Sequence, residues 1–303
     1  MSSRTLLKFI TGFALAVLAF YGDYGKTSNT KLNYTPKKII WNEIERGLFY
    51  AEFDAPIKSK VNDSKISILK IDPKYFSFEL LTATEHDSLR RTVEQWSNDF
   101  NLVAVINAGM FNLSDHYTGT GFLKNYEHIN NGKLRGNFRA FAMFNPKSKD
   151  LPAMNIVDME IENWEDLLSN YNSAFQCIRM IDCNQKQVLW KPRKPISSSM
   201  CVLGTDIYSN VLFVFCRSPY TANTMSTFLL YLPLKIYSVM YLDGGPESSL
   251  YVNAGDTIIE KVGSWVSPGY ANDDNNYFWE LPNVIGVKRK THGQPTPYVF
   301  KTK

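Results

Sequence analysis

Two rhythms of apolar and polar residues run along the chain and divide it into elements. "SKISILKI" (64–71) alternates with period two, and "YFSFELLTA" (75–83) follows after the turn signal "DPK". Side chains on a strand alternate faces, so both segments predict strands, and the short link predicts an antiparallel pair. "LRRTVEQWSNDF" (89–100) places Leu89, Val93, Trp96 and Phe100 at helical spacing. "LVAVIN" (102–107) is a continuous apolar run and predicts a buried strand. Segments 138–147, 173–182, 198–206, 210–217 and 237–243 read as further strands. "TANTMSTFLLYLPL" (221–234) reads as a helix that starts behind a Thr or Asn cap and stops near Pro233. Strands dominate, with two or three helices among them, and neither a repeat nor a composition break follows residue 60. The pattern predicts one α+β domain: a strand-rich mixed sheet core with a few helices packed on it.

The ends follow other patterns. Arg4 and Lys8 precede the apolar run "FITGFALAVLAF" (9–20). A short basic segment before about a dozen apolar residues has the shape of a secretory signal peptide. It falls short of the roughly 20 residues a bilayer span requires. The expected organisation is a signal peptide over 1–20, with an uncleaved anchor as the alternative. A Gly-, Ser-, Thr-, Asn- and Lys-rich tether and extension follow over 21–60, then a domain over 61–290 and a tail over 291–303. A secreted or periplasmic location without a stable membrane span follows from that reading.

Composition narrows the choice of function. Apolar residues are 44% and aromatics 14% of the 303, enough for a sizeable core and against disorder. The net charge of +4 comes with no basic block, so no nucleic-acid footprint is present. Cys177, Cys183, Cys201 and Cys216 lie in one stretch. In an oxidising compartment they could form up to two disulfides, and Cys201 and Cys216 could face each other across "TDIYSN"; buried free thiols are the equal alternative. His86, His116, His128 and His292 lack ligand spacing, and "NDDNN" (272–276) lacks the glycine and distal Glu of a calcium loop. No metal is expected, and no nucleotide fingerprint calls for a cofactor.

Two apolar strands run into polar, glycine-rich turns. After the first come Asn107, Gly109, Asn112, Asp115, His116 and Thr118. In "MYLDGGPESSLYV" (240–252) come Asp243, Gly244, Gly245, Glu247 and Ser248. A plain turn needs one glycine and an Asp or Asn. Extra glycines let backbone amides approach a ligand, and exposed amides form an anion-binding concavity. Two structural loops are the plain alternative. Arg217 ends an apolar strand just before a helix start, a place suited to phosphate or carboxylate. Arg179 lies inside an apolar strand, where an arginine is either paired in the core or facing a cleft.

In chain order, "VINAGMF", "TGTGF", "CRSPYT" and "YLDGGPESSLYV" resemble the phosphodiester glycosidase family across residues 64–288. That resemblance implies a surface cavity built from Asn107, Gly109, Asp243, Gly244, Gly245 and Ser248, with Thr118 and Gly119 of "TGTGF" as substrate contacts. Many relatives read "LDGGGSS"; here Pro246 and Glu247 replace the third glycine and the first serine. The implied reaction is hydrolysis of a sugar-1-phosphodiester, a carbohydrate substrate. Its expected machinery is Asp243 as the carboxylate at the anomeric centre, Asp115 or Glu247 as second acid or base, and Asn107 beside them. Arg179, Arg217 and backbone amides would hold the phosphate. The alternative is a non-catalytic module that binds envelope glycans through the same cavity.

Overall fold

In the computed structural model, residues 40–290 are described, apart from 193 and 195. The expected signal segment, the tether up to residue 39 and the tail lie outside the described residues. The described residues form two sheets, with every pairing among them antiparallel. The larger runs β1 (Asn42–Glu45), β2 (Leu48–Asp54), β3 (Lys65–Ile71), β12 (Val211–Tyr220), β11 (Ser198–Asp206), β13 (Ile236–Gly244), β10 (Tyr171–Ile181), β6 (Leu123–Asn125) and β7 (His128–Asn131). A side branch adds β8 (Ala140–Pro146), which pairs with β10, and β9 (Met154–Asp158). The smaller sheet runs β15 (Thr257–Val262), β14 (Ser249–Ala254), β5 (Ala104–Asn107), β16 (Asn283–Arg289) and β4 (Phe76–Thr82). Three α-helices accompany them among the described residues: α1 (Val93–Phe100), α2 (Trp164–Ser169) and α3 (Ala222–Tyr231). The α+β expectation holds.

Local chemistry places the helix starts. The Thr92 hydroxyl accepts the Gln95 N–H while the Gln95 side chain accepts the Thr92 N–H, a reciprocal cap that starts α1 after Thr92. Leu89, expected on the apolar face, therefore stays outside the helix and exposed. Thr221 caps α3 from one side, its hydroxyl accepting the Thr224 N–H.

The predicted β3–β4 pair does not form. β3 pairs with β2 and β12, and β4 pairs with β16 in the other sheet. The "DPK" turn carries the chain across the core instead of folding it back. Leu69 and Ile71 then face the same apolar core as Phe76 and Phe78. Opposite walls bury both sets of side chains against each other, which a hairpin in one sheet would not do. The larger sheet begins ahead of residue 61, with Leu48, Ala51 and Phe53 of β2 buried.

The hairpin around "TDIYSN" forms, but its register pairs Cys201 with Phe215 and Cys216 with Met200. A one-residue offset places the two thiols on opposite faces. All four cysteines are free. Among the described residues, no helix is long and apolar enough to cross a membrane.

Candidate active site

The core that joins the sheets also brings two strand ends together. Ile106 of β5 and Leu242 of β13 are buried in one cluster, so the residues that follow them emerge side by side. Asn107 then links the two turns. Its side-chain amide donates to the Glu247 carbonyl at 2.9 Å, and its oxygen accepts the Ser249 N–H at 2.9 Å. The surplus of small residues after Leu242 has separate local causes. A Cβ on Gly244 would sit 2.0 Å from the Tyr241 hydroxyl, so that position needs space. Gly245 has φ +86°, so that position needs backbone freedom. Pro246 is the second residue of the one-turn 3₁₀ helix Gly245–Glu247. Buried Ser248 sets its hydroxyl within reach of the carbonyls of Asp243 (3.2 Å) and Ser199 (3.4 Å).

This framework presents two carboxyl groups. Asp243 is 8% exposed, and one of its oxygens accepts the Gly244 N–H at 2.8 Å. Burial pushes its carboxyl well above the usual range, and the neighbouring Glu247 pushes it further. The Gly244 and Asn107 donors oppose both effects. Burial also raises Glu247. Two desolvated carboxyls sharing one space titrate as a pair, and the first proton to leave is the easier one. Asp243 is the deeper of the two, so desolvation penalises its ionised form more directly.

Both carboxyls line an open cavity of about 600 Å³. Met110, Phe111, Phe138, Ile178 and Val266 supply its apolar wall, Asn112 and Thr120 supply polar groups, and Arg135 is the cation among the lining residues. Of the residues singled out in the sequence, Asn112, Asp243, Gly244 and Glu247 line this cavity. Asn107, Gly245 and Ser248 stand immediately behind them. Gly109, at φ +81°, packs its loop against Phe175.

Others lie elsewhere. Asp115 is exposed and turns its own loop, accepting the N–H groups of Tyr117 and Thr118. Gly119 is held by Asn130 and Asn131, and neither it nor Thr118 lines the cavity, although Thr120 does. Arg217 binds Asp273 and the carbonyls of Val262, Asp273 and Asn275, so it ties down the segment before β16. Arg179 is paired with Asp158 and Glu160, while its neighbour Ile178 lines the cavity. Both arginines expected at a phosphate therefore have protein partners, and neither lines the cavity. Sequence reasoning missed Arg135, which sits in "NGKLRGN", a segment that reads as an ordinary polar loop.

A family model described as phosphodiester glycosidase matches residues 100–288, a span that includes every residue lining the cavity. Two solved structures are similar. A hypothetical protein from Synechocystis superposes with TM-score 0.57 at 13% identity, over 83% of this chain and 64% of that one. The zebrafish N-acetylglucosamine-1-phosphodiester alpha-N-acetylglucosaminidase catalytic domain, auto-inhibited by its propeptide, superposes with TM-score 0.52 at 12% identity. That match covers 84% of this chain and 88% of that one. At such identity these likenesses establish the fold. No curated protein sequence matches the chain.

Proposed function

The chain belongs to the phosphodiester glycosidase family, and from that premise we propose that it hydrolyses the bond between a sugar's anomeric carbon and a phosphodiester oxygen. The observation that carries the proposal is the pair of buried Asp243 and half-buried Glu247, opening on one cavity. The scissile C–O bond breaks with its electron pair leaving on the phosphate oxygen, and positive charge develops at the anomeric centre. The ionised carboxylate of the pair opposes that charge, as a nucleophile or as the base for a water molecule. The protonated partner supplies a proton to the departing oxygen. Water is consumed: the sugar gains hydroxyl and the phosphate becomes a monoester. Sequence reasoning made Asp243 the carboxylate; its deeper burial favours Asp243 as the acid and Glu247 as the carboxylate.

The test is sugar release from a panel of sugar-1-phosphodiesters by the wild type, Asp243→Asn and Glu247→Gln. Turnover by the wild type and its loss in both variants supports the proposal. Binding of these compounds without turnover would instead favour the glycan-binding reading. We propose export as well, from the basic and then apolar segment 1–20. N-terminal sequencing of the mature protein checks it, and an intact Met1 in a soluble cytoplasmic pool would overturn it.

A further inference from the structure

Six arginines among the described residues, at 90, 91, 139, 179, 217 and 289, hold a carboxylate. Arg135 holds none among the described residues, yet it lines the cavity that contains Asp243 and Glu247. Its position is built. Gln176, 3% exposed on β10, accepts the Arg135 N–H at 2.8 Å and donates to the Arg135 carbonyl at 3.0 Å. The same amide also donates to the Phe138 carbonyl at 2.6 Å. A buried glutamine thus pins both sides of the Arg135 peptide from the sheet beneath. The guanidinium lies 5.0 Å from the Phe138 ring centroid, and its Nε donates to the Asn137 side chain at 3.2 Å. These contacts fix the plane of the group through one edge. The two terminal nitrogens remain for an outside partner.

We propose that Arg135 is the phosphate-recognition residue of this cavity: its terminal nitrogens take two oxygens of the substrate's phosphodiester, selecting anionic over neutral glycosides. The assignment rests on the proposed hydrolysis for its role in turnover. Planar, bidentate pairing is what a guanidinium offers a phosphate. The charges also balance. A carboxyl pair that retains one proton carries a single negative charge, which one guanidinium offsets, so an anionic diester can enter. In turnover Arg135 stays on the phosphate as charge accumulates on the departing oxygen, and no proton leaves it.

The experiment compares wild type, Arg135→Gln, Arg135→Lys and Asp243→Asn, using methyl phosphate as the binding probe and a methyl phosphodiester of a sugar as substrate. Arg135 is exposed and its loop is held by backbone bonds, so these variants are expected to fold; unchanged melting checks it. Phosphorus NMR titration should show methyl phosphate binding weakened about tenfold to a hundredfold in Arg135→Gln, the loss expected for charge-assisted hydrogen bonds. Arg135→Lys should recover part of it, and Asp243→Asn, which keeps the guanidinium, should lose turnover while binding methyl phosphate more tightly than Arg135→Gln does. KM for the diester should rise by a similar factor. Methyl phosphate binding through Arg135 in a protein that hydrolyses no diester would support the anion site while removing the hydrolysis reading. Diester hydrolysis with KM unchanged in Arg135→Gln would overturn the role of Arg135 and leave hydrolysis standing. A wild type that binds no methyl phosphate would also overturn it.

Discussion

Asp243 and Glu247 are where stability and chemistry pull apart. Both carboxyls titrate above their ordinary values in the folded chain. The folded state therefore binds protons more tightly than the unfolded one. Their stabilising contribution is fully present below the ordinary carboxyl range and is lost as pH rises through the folded values. At neutral pH the desolvated pair is a net cost, and Asp243→Asn should keep or raise the melting temperature while flattening its pH dependence. The same variant should cut turnover by at least about a hundredfold, as should Glu247→Gln. Melting and turnover measured on one preparation separate this from a mere turn role, in which stability would fall by about 1 kcal/mol and turnover would persist. The wild-type rate should follow a bell-shaped pH profile with both limbs above ordinary carboxyl values, and Asn at 243 should remove the alkaline limb. A profile flat from pH 5 to 9 would sink the shared-proton arrangement.

The element that holds the pair is the junction of β13 with the 3₁₀ turn behind it. Its geometry depends on Gly244 leaving room for Tyr241, whose hydroxyl also lies 3.5 Å from that of Ser198. Gly244→Ala should destabilise the fold by about 1–3 kcal/mol, the range for forcing a methyl group into a filled site. Tyr241→Phe removes the nearest clashing atom, so the double variant should recover part of the loss. Equal melting temperatures for the wild type and Gly244→Ala would show that the tyrosine swings aside freely. Across the junction, Asn107 is the tie from the second sheet. Its bond to the buried Ser249 N–H makes it a positioning residue for Glu247.

For the whole molecule, the decisive feature is that two sheets share one core, with β2 closing part of the larger one. Chains spanning 40–290 and 61–290 test where the folding unit begins. Removing residues 40–60 strips Leu48 and Phe53 from the core and leaves β3 with an unpaired edge. The shorter chain should melt lower and self-associate, as read by thermal denaturation and gel filtration. Identical behaviour of the two chains would show that β1 and β2 are dispensable and that the boundary at 61 stands.

What the sequence determined by itself is what neighbouring residues decide among themselves. The period-two segment became β3, the Thr92 and Thr221 caps started their helices, and the two glycine-rich turns followed the strands predicted for them. Turn chemistry acts within three or four residues, so Asp243, Gly244, Gly245 and Glu247 were legible as an unusual cluster. Tertiary structure decided which strands pair, because β3 and β4 fit a hairpin or two walls equally well until their buried faces meet a partner. It also decided what each charged side chain does. Arg179 and Arg217 found carboxylates contributed by distant segments, while Arg135, in an unremarkable loop, was carried into the cavity by Gln176. The raised titration of Asp243 and Glu247 belongs to the same class. It depends on desolvation and on charges across a cavity, and these exist only once strands far apart in the chain have closed over the core.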